Sequence, residues 1–134
     1  MLGSDEKYKT EVADFSIHND IVYMKFNPTH IHGINEAKLV VEKHNELSDG
    51  KKTAVLADLR DVTTGANRAA RKYYVGPESA EFKLGMAMLV VSPFQRMLGN
   101  IFIYLGNPPY PTRLFSSEPD AIKWLEELSN KNNE

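Results

Sequence analysis

The sequence predicts a single α/β domain: a mixed sheet that opens with an antiparallel hairpin and continues as a parallel half, with helices packed on the sheet. Three patterns predict it. Tyr8–Ile17 and Ile21–Phe26 alternate apolar and polar residues on either side of the short polar turn His18-Asn19-Asp20, as the arms of a hairpin do. Ala54-Val55-Leu56-Ala57 and Leu84–Val91 are apolar at nearly every position, the mark of strands buried on both faces. Segments of helical period separate these runs, and strands alternating with helices imply parallel neighbours.

Taken in order, residues 1–7 read as a polar tail, 8–130 as one domain and 131–134 as a frayed end. After the hairpin, the loop Asn27–Gly33 leads to a helix that Asn35 can cap. Its apolar face is Ala37, Val40, Val41, His44 and Leu47, and Asp49-Gly50 ends it. The buried run Ala54–Ala57 follows and stops at Asp58. A polar loop carrying Thr63 and Thr64 leads to a helix from about Asn67 to Val75, broken by Gly76-Pro77, with a further helical turn open over Glu78–Phe82. The strand Leu84–Val91 comes next. Ser92 at the N-cap, Pro93 at the first helical position and Gln95 three residues after the cap then start the clearest amphipathic helix. Its stripe is Phe94, Met97, Leu98, Ile101, Phe102 and Leu105, expected on the central sheet. The loop Asn107–Pro111 leads to a short edge strand, Thr112–Phe115. A last helix from Ser117 buries Ile122, Trp124 or Leu125, and Leu128. The order is ββαβαβαβα.

Composition narrows the function classes. The chain has 134 residues, 42% of them hydrophobic, enough for a real core. It has no cysteine, which excludes disulfides, thiolate metal sites and cysteine nucleophiles. A formal net charge of −2 gives no electrostatic case for nucleic acid. No apolar run is long enough to span a membrane, and Met1–Glu6 has neither a basic nor an apolar leader segment, so a cytoplasmic protein is expected.

The stretch Thr53–Tyr74 holds the candidate site. Loops at the carboxyl ends of strands meet helix amino termini, where open α/β sheets bind ligands. If the two buried strands are parallel neighbours, the helices starting near Asn67 and Ser92 open on one edge. Asp58, Thr63, Thr64, Asn67, Arg68, Ser92, Arg96 and Asn100 are therefore the candidate ligand- or partner-binding residues, with Arg68 and Arg96 suited to a phosphate or carboxylate. The plainer alternative is a pair of helix caps, with the arginines bonded to Asp58 or Asp61. His30-Ile31-His32 has the spacing of some metal sites but no further ligands nearby, so no metal is expected. Arg68, Arg71 and Lys72 beside Tyr73 and Tyr74 read as a solvated helix face. No nucleophile motif, P-loop or dinucleotide fingerprint is present, and neither a catalytic residue nor a cofactor is expected.

Val55–Val62, Ala69–Tyr73, Ser92-Pro93 with Arg96 and Gly99-Asn100, and Pro111–Phe115 before Ala121–Leu125 together resemble the STAS domain. This is the sulfate transporter and anti-sigma factor antagonist family, and the likeness is greatest to small stand-alone bacterial members. The resemblance implies a non-catalytic regulatory domain that binds a partner protein, such as a kinase-like regulator, and leaves a homodimer open. Family antagonists are switched by phosphorylation of a serine at the start of the helix after the third strand. Here Ala66, Asn67 and Arg68 hold no hydroxyl there. The alternative is a carrier or sensor for a small anionic or lipid-like ligand. A pocket between the Phe94–Leu105 helix and the sheet favours that alternative; a solid core there favours protein contact.

Overall fold

The computed structural model describes residues 7–132. The tail expected at the start lies, apart from Lys7, outside the described residues, as do residues 133 and 134 of the expected frayed end. The order is β1 (Lys7–Lys9), β2 (Ala13–His18), β3 (Ile21–Phe26), α1 (Ile34–Ser48), β4 (Thr53–Asp58), α2 (Arg68–Tyr74), α3 (Pro77–Ala80), β5 (Lys83–Leu89), α4 (Pro93–Tyr104), β6 (Thr112–Phe115) and α5 (Glu118–Asn132). One six-stranded sheet runs in sequence order, β1 to β6. The first three strands are antiparallel, and β3, β4, β5 and β6 are parallel neighbours.

The run expected as one strand over Tyr8–Ile17 is two. Thr10 Oγ1 accepts from the N–H groups of Val12 and Ala13 at 3.2 and 3.0 Å, folding the chain into a turn. β1 then pairs back along β2. Between β2 and β3, Asn19 and Asp20 both take positive φ, 51° and 65°, as a two-residue turn with the native strand twist requires.

Each parallel step moves to the next strand in the same direction. Right-handed crossovers therefore place α1, α2 and α4 on one face of the sheet. Beneath them lie Val22, Met24, Phe26, Val55, Ala57, Met86 and Met88. The chain ends by crossing back, so α5 covers the other face, with Ala121 and Leu125 against Ile21, Ala54, Leu56, Ala87 and Leu89.

Two caps differ from expectation. Gly33, not Asn35, precedes α1, and the Glu36 carboxylate accepts from the Gly33 N–H at 2.8 Å. Ser92 does cap α4, accepting from the Gln95 N–H at 3.1 Å. Gln95 does not close back on the Ser92 N–H. Its side chain accepts from the Val91 N–H at 2.9 Å and donates to the Arg60 carbonyl at 2.8 Å, which ties the loop after β4 to the start of α4.

The stripe of α4 is also divided. Phe102 is buried, Leu98 and Ile101 are half-buried, and Phe94, Met97 and Leu105 are exposed, Leu105 at 81%. The cause is position: α4 connects β5 to the edge strand β6, so the sheet ends beneath it. Gly99 meets Leu114 of β6 so closely that a side chain there would collide with it.

Candidate functional site

The carboxyl ends of β4 and β5 are neighbours, as the candidate edge requires. Asn67 caps α2 through its side-chain oxygen, 3.0 Å from the Ala70 N, and its own N–H donates to the His32 carbonyl at 2.9 Å. This joins the starts of α1 and α2. Ser92 is committed to its own cap. Asp58 is nearly buried and holds Arg60 by two contacts, Nε at 3.0 Å and a terminal nitrogen at 2.8 Å, while also accepting from the Arg60 N–H at 3.0 Å. Arg60 continues to Glu118 at 3.0 Å, and Lys25 pairs with Asp61 at 3.5 Å. The partners of the two aspartates are thus Arg60 and Lys25 rather than Arg68 and Arg96. Burial raises the Asp58 carboxyl, but the hydrogen bonds and charge of Arg60 outweigh it and hold it below the usual aspartate value. Thr63, Arg68, Arg96 and Asn100 are exposed; Thr64 is half-buried and turns inward. Arg68 and Arg96 form no side-chain hydrogen bond or ion pair among the described residues.

Thr64 leads to a feature that the motifs did not mark. Between the sheet and the three helices above it lies a cavity of about 120 Å³. Met24, Ala57, Met86 and Met88 form its sheet side, Val40 and Val41 of α1 one wall, and Leu98, Ile101 and Phe102 of α4 its roof. The lining is almost entirely apolar. Half-buried Thr64, Arg71, Leu98 and Ile101 mark the side nearer solvent.

Polar groups gather at one end. Tyr110 donates to the Tyr74 carbonyl at 3.3 Å, and Tyr74 Oη lies 2.6 Å from His32 Nε2. Burial raises both phenols above the ordinary tyrosine value and lowers His32, the last opposed by Glu36. His30 is exposed while His32 is engaged with Tyr74, so the two do not share surroundings; among the described residues, no group of three or more His, Cys, Asp or Glu side chains is placed to hold a metal. Lys83 is the most unusual member. It is 6% exposed, and its ammonium donates to both the carbonyl and the hydroxyl of Ser79, the latter at 3.0 Å. Nζ also sits 5.8 Å from the Tyr110 ring centre. Burial lowers Lys83 to about 7.

A bulge puts Lys83 there. Thr53 pairs with Lys83, but Ala54 pairs with Gly85, leaving Leu84 as an extra residue. In unbroken alternation Lys83 would share a face with Gly85 and Ala87, under α5. The extra residue turns it toward Met86 and Met88 instead. The sequence signal was Gly85 inside a strand pattern, a recognised sign of a bulge.

The family model described as a domain of unknown function, DUF7793, matches residues 15–129, and the chain belongs to that family. No curated protein matches it. Two solved structures share its fold. An uncharacterized protein of the DUF3478 family with a SpoIIAA-like fold, from Shewanella loihica PV-4, is 13% identical, with 93% of this chain and 99% of that one aligned and a TM-score of 0.62. An anti-sigma factor antagonist from Mycobacterium paratuberculosis is 14% identical, with 86% and 93% aligned and a TM-score of 0.56. The STAS-like resemblance therefore stands as a likeness of fold. No helix among the described residues is long and apolar enough to cross a membrane.

Proposed function

We propose that this DUF7793 chain is a regulatory STAS-type domain that senses or carries a small, mainly apolar molecule in the cavity beneath α4. The cavity itself supports the reading, because it lies where a domain working by surface contact alone has a solid helix–sheet core. An engineered apolar cavity of about 150 Å³ stays dry and takes up benzene, so a space of about 120 Å³ suits one ring or a short chain. Met24, Met86 and Met88 line it, and exposed Met97 lies outside. Their methyl resonances provide a direct test. Benzene or indole should shift the three lining methyls and spare Met97, and Ala57→Leu should abolish the response. Lining methyls that stay fixed at saturating probe overturn the proposal.

A second reading, contact with a protein partner across the Thr63–Lys72 edge, is favoured by the exposure of Thr63, Asn67, Arg68 and Lys72 and by the fold shared with an anti-sigma factor antagonist. A kinase-like regulator or a second copy of the chain would meet that edge, and a small anion such as phosphate would sit at Arg68, Ser92 and Arg96. Arg68→Glu combined with Lys72→Glu should weaken such a complex, read by analytical ultracentrifugation, without altering the methyl response. A complex of unchanged affinity rules this edge out.

A further inference from the structure

We infer that the cavity ligand carries a carboxylate, and that Lys83 is the group that receives it. The inference rests on the cavity reading above and names the ligand's chemical class. Three features of Lys83 carry it. First, it lines an apolar cavity, placed there by the bulge in β5 rather than by ordinary alternation. Second, it is buried without a counter-ion: among the described residues no Asp or Glu pairs with it, and its bonds go to the neutral oxygens of Ser79. Third, those two bonds occupy two of the three ammonium donors, leaving one for a ligand.

A buried cation without an anion is costly, and the usual remedies are a paired carboxylate or loss of the proton. Ser79 explains part of the arrangement, since Lys83 satisfies a carbonyl at the end of α3. It does not explain the missing charge. A ligand carboxylate reaching the third donor would supply it, while the ligand's ring or chain lies against Met86, Met88 and Phe102. The hydroxyl of Tyr110 lies beside Ser79 at the same end, held by Ser79 and the Tyr74 carbonyl, so the free donor there is that of Lys83. A phosphate dianion fits less well: it wants a second cation, and Arg71, the other cation of the lining, lies on the side nearer solvent, with one of its five donors on the Ala66 carbonyl at 2.7 Å.

Carboxylate binding should also take up a proton near neutral pH. The titratable and charged groups around Lys83 are His44 on α1, Arg71 and Tyr74 on α2, Tyr110 before β6, and His32 before α1 with Glu36 behind it. His44 and the two tyrosines stay neutral at pH 8, because burial lowers the first to about 3 and raises the phenols. Burial also lowers His32 below the ordinary histidine value, further from pH 8 than Lys83, which at about 7 is the group nearest to gaining the proton.

The experiment compares benzoate, benzyl alcohol and phenyl phosphate by methionine-methyl titration and by calorimetry at pH 8 in two buffers of different ionisation heat. Benzoate should bind about tenfold to a hundredfold tighter than benzyl alcohol at pH 6, where Lys83 is charged, the range for one hydrogen bond to a charged group. The margin should narrow by about tenfold at pH 8, where the proton must be taken up. Benzoate should take up close to one proton there, as benzyl alcohol should not. Lys83→Met should still bind benzyl alcohol and lose the preference. Equal binding of benzoate and benzyl alcohol at pH 6, or no proton uptake at pH 8, overturns the assignment to Lys83 and leaves the cavity standing. Phenyl phosphate binding as tightly as benzoate overturns the carboxylate class. Failure of all three probes to move the lining methyls overturns the cavity itself. Proton uptake is read on the unaltered protein, so the test survives if Lys83→Met does not fold.

Discussion

The Nε2 of His44 lies 3.0 Å from the hydroxyl of Thr53, linking the penultimate turn of α1 to the first residue of β4. Ser48 joins the pair, its hydroxyl 3.3 Å from the same nitrogen and 3.2 Å from Thr53 Oγ1. The imidazole is wholly buried, and burial first, then the nearby Lys83 charge, lower it to about 3. Its hydrogen bonds therefore belong to the neutral ring.

This makes the fold acid-sensitive, chiefly through His44, with His32, also lowered by burial, adding a loss of the same sign. The unfolded chain binds a proton at His44 near pH 6.5, whereas the folded chain does so only near 3. Between those values the unfolded state holds more protons, so stability falls as pH falls, by up to about 1.4 kcal/mol per pH unit. Asp58, held low in the fold, adds a loss of the same sign at the acid end. Urea titrations from pH 7 to 4 should show the slope, and His44→Gln should flatten most of it. A slope unchanged in the variant would place the acid sensitivity elsewhere.

Asp58 should matter to the fold and not to the cavity. It accepts one backbone and two guanidinium hydrogen bonds from Arg60, and Arg60 links onward to Glu118 at the start of α5. Asp58→Ala should cost about 1–3 kcal/mol in denaturant titration, from the loss of hydrogen bonds between a buried carboxylate and the charged Arg60 that hold the loop after β4. Benzene-induced methyl shifts should persist. Loss of the shifts in a folded variant would return Asp58 to the binding site.

Two roof residues should separate packing from exposure. Phe102 is buried and closes the cavity, so Phe102→Ala should cost about 3–5 kcal/mol and enlarge the space. Ile101 lines the same cavity but is half-exposed, so Ile101→Ala should fall below the range of about 2–5 kcal/mol for a fully buried isoleucine. Equal losses for the two variants in thermal and denaturant unfolding would mean that α4 buries Ile101 as deeply as Phe102.

The sheet was legible because its signals are local. Ala54–Ala57 and, of the expected run Leu84–Val91, Gly85–Val90 are buried on both faces as unbroken apolar runs should be, while Leu84 is half-buried and Val91 exposed, and Asn67 and Ser92 start the helices they were expected to start. The site was less legible because its signals are not local. Periodicity placed Phe94 and Met97 in the core with Phe102, but only the topology reveals that α4 lies over the sheet edge. Lys83 reads as a polar flank of a strand. One extra residue in the pairing decides which face it takes, and hence whether it meets α5 or the cavity.

That placement has a consequence on the alkaline side, independent of any ligand. A lysine titrates near 10.5 in the unfolded chain, and Lys83 titrates near 7 in the fold. From pH 7 to 10 the unfolded state therefore keeps a proton that the folded state has released. By linkage, stability rises with pH across this window, and the cost of burying the charge is fully felt below it. The limiting slope is about 1.4 kcal/mol per pH unit, acting beside whatever the exposed lysines contribute. Lys83→Met removes the titrating group while keeping an unbranched side chain of similar length. The variant should show a flatter profile than the parent between pH 7 and 10, with its largest relative gain in stability at the neutral end. Urea unfolding at half-unit pH steps measures both curves. Parallel curves would mean that Lys83 keeps its proton throughout, held by Ser79 and the Tyr110 ring alone.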